Sequence, residues 1–126
     1  MGSNKRPPQS ARNVPILVTG GTGMVGSYLL DLLLQEGYTN IRAIYRPGSQ
    51  PYLSKWGENV VEWVACDLLD PFWLSDCTRG STQSYHCAGV ISFRKEDRQE
   101  MQAVNVEGTA NLVNAALANG VQKIVY

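Results

Sequence analysis

Four glycines, Gly20, Gly21, Gly23 and Gly26, fall within seven residues of the stretch ILVTGGTGMVGSYLLDLLLQEG (residues 16–37). They separate an apolar run from a longer apolar-periodic segment. Glycine weakens helices and strands through its backbone entropy, so such a cluster needs a reason. A tight surface turn is one reason. A ligand that must approach the backbone where a side chain would block it is the other. A helix beginning here supplies N–H groups without intrahelical partners and a partial positive charge, which suit a pyrophosphate. Gly21-x-Gly23-x-x-Gly26 fits the dinucleotide fingerprint, and Gly20-x-x-Gly23-x-x-Gly26 fits equally well. Spacing alone leaves the register open.

Two further positions bear on the same ligand. In this fingerprint an acid about twenty residues past the glycines binds a ribose 2′-hydroxyl, whereas an arginine there accommodates a 2′-phosphate. Arg46 stands at that distance from Gly26, and no Asp or Glu lies between Gly37 and Gly57. The charge therefore favours NADP over NAD. A solvated strand-end charge is the plainer reading of Arg46. Arg42 shares the segment, and strand alternation does not say which face it uses. Asp67 is placed either to accept a hydrogen bond from an adenine amino group or to cap the next turn with its side chain.

The elements that must position these residues follow from hydrophobic patterning. Ile16, Leu17 and Val18 form a short buried-strand run ending at Thr19 and Gly20. Val25, Leu29, Leu32 and Leu33 then recur at helical spacing, with Gly37 as the stop. IRAIY (residues 41–45) is a second strand and VVEWVA (residues 60–65) a third. Pro71 opens a short helix through Asp76. SYHCA (residues 84–88) is a fourth strand. A long helix follows, with Met101, Val104, Gly108, Leu112 and Ala115 on one face, and KIVY (residues 123–126) begins a fifth strand. Strands alternating with helices imply βαβ units and an α/β doubly wound parallel sheet of the Rossmann type.

Composition narrows the partners. Eleven basic residues balance eleven acidic ones, so no electrostatic capture of nucleic acid or anionic membrane is expected. The most apolar stretch, residues 29–34, is short and interrupted by Asp31, which excludes a membrane span there. Residues 1–15 (MGSNKRPPQSARNVP) carry three prolines and three basic residues without an acid. They read as a disordered leader or an expression-tag remnant, with a transit peptide as the alternative. Cys66, Cys77 and Cys87 form no CxxC and leave an odd count, which favours a reducing cytoplasm over a disulfide framework. His86 beside Cys87 has no second ligand at a recognised spacing, so no metal site is expected.

These segments together resemble the extended short-chain dehydrogenase/reductase family, the NAD(P)-dependent epimerases, dehydratases and reductases. TGGTGMVG (residues 19–26) is similar to its TGxxGxxG loop, CDLLD (residues 66–70) to its acidic adenine contact, and YHCAG (residues 85–89) to the segment passing the nicotinamide. NVEGTANLVNAALANGVQKIVY (residues 105–126) is similar to its fourth helix and fifth strand. The resemblance favours the Gly20, Gly23, Gly26 register and Asp67 as the adenine contact. It implies cofactor contacts from Thr22, Met24, Val25, Leu68, Ala88 and Gly89, and a supporting role for Asn105. HCAGVISF with NVEGTANLVNAA resembles the dihydroflavonol reductase and 3β-hydroxysteroid dehydrogenase branch more than the nucleotide-sugar epimerases, and NADP-linked reductases of that kind often carry a basic residue where Arg46 stands.

The family's catalytic Ser or Thr and its Tyr-x-x-x-Lys pair have no match. Tyr28, Tyr38, Tyr45, Tyr52 and Tyr85 lack a lysine four positions on, and Tyr126 is the last residue. Residues 16–126 are therefore expected to be the N-terminal part of a dinucleotide-binding domain, truncated in its fifth strand, without catalytic residues or substrate region. The expected function is the cofactor half of an NADP-dependent reductase or dehydrogenase of a carbonyl or secondary alcohol. A non-catalytic NADP-binding redox sensor and a nucleotide-sugar epimerase or dehydratase are the alternatives. The long helix from about Asp97 is a candidate homodimer surface.

Overall fold

The computed structural model describes residues 12–49, 60–88 and 94–125. Residues 1–11 of the expected leader, Gly89 and Tyr126 lie outside them. Five strands form one parallel sheet: β1 (Ile16–Thr19), β2 (Ile41–Tyr45), β3 (Glu62–Ala65), β4 (Gln83–His86) and β5 (Lys123–Val125). Their spatial order is β3-β2-β1-β4-β5. Chain order thus reverses at β1 and β4, the switch point beside which doubly wound folds bind ligands, at the carboxyl ends of the strands.

Strand alternation divides the core into two halves. Ile16 and Val18 of β1 join Ile41 and Ala43 of β2 on one face, under helix α1 (Met24–Gln35). Leu17 and Ile44 face the other way, against α2 (Pro71–Thr78) and α4 (Thr109–Ala118), where Leu74 and Leu112 are fully buried. Period-2 side chains on strands buried from both sides produce this layered arrangement.

Helix α1 departs from the expected stripe. Gly26, Leu30 and Leu33 are its buried residues, while Val25 and Leu32 are exposed. Leucines at 29, 30, 32, 33 and 34 offer two apolar stripes. The choice between them falls to Gly26, which must face the turn preceding the helix. The expected long helix is also not uniform. It runs as a 3₁₀ turn (Lys95–Asp97), α3 (Arg98–Gln102), a π-helical segment (Ala103–Gly108) and α4. The π segment ends at Gly108, where an added Cβ would lie 3.1 Å from the Leu68 Cβ. Side chain at this position would push the helix off the loop after β3. Among the described residues no helix is long and apolar enough to cross a membrane.

Arg42 does not reach the carboxyl edge. Its guanidinium donates to the carbonyls of Cys77 (2.8 Å) and Arg79 (3.0 Å) and pairs with Glu62 (3.2 Å). It closes the C-terminus of α2, where a cation satisfies the last carbonyls.

Candidate functional site

Helices α1 and α2 both begin at the carboxyl edge of the sheet, and their first turns differ. At α2 the Asp70 side chain accepts from the Phe72 and Trp73 N–H groups, with Pro71 as the first residue. This helix satisfies its own start. At α1 the N-cap is Gly23, which has no side chain to accept, and the first turn holds no acid. The positive end of α1 is therefore left for an outside anion.

The turn before α1 is compact enough to require glycine at two positions. Gly20 has φ +70°, and an added Cβ would sit 2.6 Å from the Ala88 nitrogen. This is where the loops after β1 and β4 touch, at the switch point. A Cβ on Gly26 would overlap the Gly20 carbonyl oxygen. Gly21 is buried beneath the Trp63 ring, whereas Gly20, Thr22 and Gly23 line a cleft of about 400 Å³. Gly21 thus has a packing role, while Gly20 and Gly23 stand at the cleft wall.

The cleft runs along the carboxyl edge. Arg46, Asp67, Leu68 and Ala88 also line it, joined by Glu100 and Val104 from the helical run. Met24 and Val25 are strongly exposed on the first turn of α1, outside the cleft wall. Asn105 is likewise exposed on the π segment. Asp67 fills the turn-capping role: one carboxylate oxygen accepts from the Leu69 N–H (2.9 Å), and the residue also lines the cleft. Arg46 lies at the rim, its carbonyl accepting from the Ser49 N–H (3.0 Å) and hydroxyl (2.6 Å). Its guanidinium pairs with Glu100 at 2.8 Å.

Several supporting residues carried no local sequence signal. The Thr19 hydroxyl oxygen accepts from the Cys87 and Ala88 N–H groups, each at 3.1 Å. With both acceptor positions filled, its own O–H donates to His86 Nδ1 at 2.7 Å. His86 is then the Nε2–H tautomer and donates to the Thr109 hydroxyl at 2.8 Å. One chain of hydrogen bonds so ties β1, β4 and α4 together behind the Ala88 wall. On the opposite side the Asn111 amide donates to the Leu68 carbonyl (2.9 Å), holding the turn that carries Asp67.

Burial pushes the His86 pKa below its ordinary value near 6.5 and pushes all three thiols up, Cys66 further through its contact with Cys77. A lowered folded-state pKa means that the unfolded chain takes up the proton first as pH falls. His86 is the chain's single histidine, so no other imidazole obscures the effect. Unfolding free energy is expected to be level from that ordinary value up to the ordinary thiol range near 9, above which the raised thiol pKa values lower it. It should drop as pH falls from the ordinary histidine value to the lower folded-state value. Denaturant titrations across this window check the slope, and His86→Gln is expected to remove it.

Comparison with known proteins agrees with this geometry. The model of the NAD dependent epimerase/dehydratase family matches residues 16–126. A putative dihydroflavonol 4-reductase of Synechocystis is 36% identical over 109 residues, covering 86% of this chain and 31% of the relative. A 3-beta-hydroxysteroid dehydrogenase of Mycolicibacterium neoaurum is 35% identical over 118 residues, 88% of this chain and 31% of the relative. The chain thus spans about a third of the length of the curated relatives it matches. Among solved structures, a short-chain dehydrogenase/reductase superfamily protein from Agrobacterium tumefaciens with bound NAD superposes with a TM-score of 0.69. It is 34% identical, with 86% of this chain and 30% of that one covered. With the glycine turn, the uncapped helix and the β3-β2-β1-β4-β5 sheet all in place, the chain belongs to the NAD dependent epimerase/dehydratase family.

Proposed function

We propose that this chain is the dinucleotide-binding part of an NADP-dependent reductase or dehydrogenase acting on a carbonyl or secondary alcohol. The observation that carries the proposal is the start of α1. A helix of 12 residues begins on Gly23 with no side-chain cap, pressed by Gly20 and Gly26 against the switch point, beside a cleft at the carboxyl edge. When bound, a nicotinamide dinucleotide supplies or accepts the hydride, and the protein orients it.

The residues divide the work by chemistry. The N–H groups of the first turn of α1, including those of Met24 and Val25, offer donors to a pyrophosphate. Asp67 offers a carboxylate to an adenine amino group, and Arg46 a guanidinium to a ribose 2′-phosphate. Ala88 is assigned to the nicotinamide side, a role the family resemblance also implies for Gly89. The names of the Synechocystis and Mycolicibacterium relatives support a reductase or dehydrogenase over an epimerase. The same proposal includes a cytoplasmic setting, consistent with three unpaired cysteines. It also includes pairing of two subunits through the helical run, where Val106 and Leu117 are exposed.

NAD is the second reading. It is supported by the Glu100 carboxylate at the Arg46 corner and by the NAD bound in the Agrobacterium neighbour. Isothermal titration with NADPH and NADH separates the two. Saturable binding of both, tighter for NADPH, is expected; tighter binding of NADH would favour the second reading, and no binding of either would overturn both. In a protein that joins this part to a catalytic Tyr-x-x-x-Lys and a substrate region, net NADPH consumption with a simple ketone or aldehyde would distinguish a reductase from an epimerase.

A further inference from the structure

We propose that Glu100 sets how strongly the cleft discriminates NADP from NAD, by competing with a ribose 2′-phosphate for Arg46. The proposal rests on the dinucleotide reading of the cleft and deepens it. Arg46 directly follows β2 on one wall, and Glu100 projects from α3 on the other, 54 positions later. Arg46 Nη2 and Glu100 Oε1 meet at 2.8 Å, and both residues line the same cleft. Among the described residues this is the one ion pair of Arg46. The Arg46 backbone is fixed by its two bonds from Ser49, so the guanidinium is held at the rim.

Two anions cannot take the same donors without cost. A 2′-phosphate arriving at Arg46 meets a carboxylate already there, and must share the guanidinium fork or displace Glu100. A 2′-hydroxyl faces no such repulsion and can donate to the carboxylate. The acid missing from the end of β2 is thus delivered by a different element. Arg46 and Glu100 serve the two cofactors from one corner, which narrows the preference that the arginine alone would impose. The ion pair is exposed, with side chains 68% and 44% accessible, so either partner can be replaced without loss of the fold.

Calorimetric titration with 2′,5′-ADP and 5′-AMP, which differ only in the 2′-phosphate, tests the proposal on the protein and on Glu100→Gln and Arg46→Gln. Thermal melts confirm that each variant is folded. Glu100→Gln is expected to tighten 2′,5′-ADP by about tenfold through removal of one like charge at contact distance. It should leave 5′-AMP within about twofold. Arg46→Gln is expected to weaken 2′,5′-ADP by about tenfold. Binding of both probes with a ratio unaltered by Glu100→Gln would overturn the role of Glu100 and leave the dinucleotide reading standing. Failure of the unaltered protein to bind either probe would overturn that reading, and this inference with it.

Discussion

Gly26→Ala is expected to destabilise the fold by about 3 kcal/mol, since overpacking against a backbone atom leaves no flexible side chain to yield. The added methyl would overlap the Gly20 carbonyl oxygen, and its next neighbours are the Gly20 carbonyl carbon and the Gly21 Cα. Relief requires α1 to move off the turn, which takes Leu30 and Leu33 out of their core with it. For a domain of this size the melting temperature should drop by about 12 °C. Nucleotide binding should be lost in parallel, because the displaced helix no longer presents its first turn to the cleft. Gly23→Ala is the control. Its Cβ would lie 3.4 Å from the Gly20 oxygen, an ordinary contact, so the fold should persist while the approach to the backbone narrows. Circular-dichroism melts and calorimetric titration with NADPH read both effects. Equal loss of stability in the two variants would contradict the packing role assigned to Gly26.

Thr19→Val should cost about 2–4 kcal/mol despite preserving shape, because three polar groups lose one partner together. Thr19 is fully buried at the end of the central strand, and its hydroxyl serves the Cys87 and Ala88 N–H groups and His86 Nδ1. The two N–H groups belong to the loop that forms the Ala88 wall, so ligand affinity should drop beyond what the stability loss explains. Thr19→Ser retains the hydroxyl and should recover most of both quantities. Chemical denaturation and titration of all three proteins give the comparison. A valine variant as stable as the serine variant would show that water or a shifted loop replaces the hydroxyl.

The fold was legible in the sequence because its signals are local. IRAIY predicts residues 41–45, and β2 occupies Ile41–Tyr45. The glycine junction announces strand, turn and helix in one stretch of chain. Where a local pattern admits two solutions, legibility ends. The leucine-rich face of α1 could bury Leu32 or Leu30, and only the contact between Gly26 and the preceding turn decides. Arg42 and Arg46 are alike in a strand pattern, yet one closes the end of α2 and the other stands at the cleft rim. The residues that support the site were invisible for a different reason. His86 meets Thr19 across 67 positions and Thr109 across 23, and Glu100 meets Arg46 across 54. No periodicity links such positions, because tertiary packing brings them together.

The bare start of α1 has a consequence for how this protein should respond to selection for robustness. Aspartate or serine is a better N-cap than glycine by a few tenths of a kcal/mol. At Gly23 it would also cancel part of the positive field that the first turn now offers. The neighbouring α2, capped by Asp70, shows that this chain can build such a stop within the same edge of the sheet. An evolving population screened for thermal endurance alone would therefore drift toward a self-satisfied helix at residue 23 and lose the anion site proposed there. On the proposed function, local instability there is the feature under constraint, and the trade between endurance and recognition is concentrated in a single missing side chain.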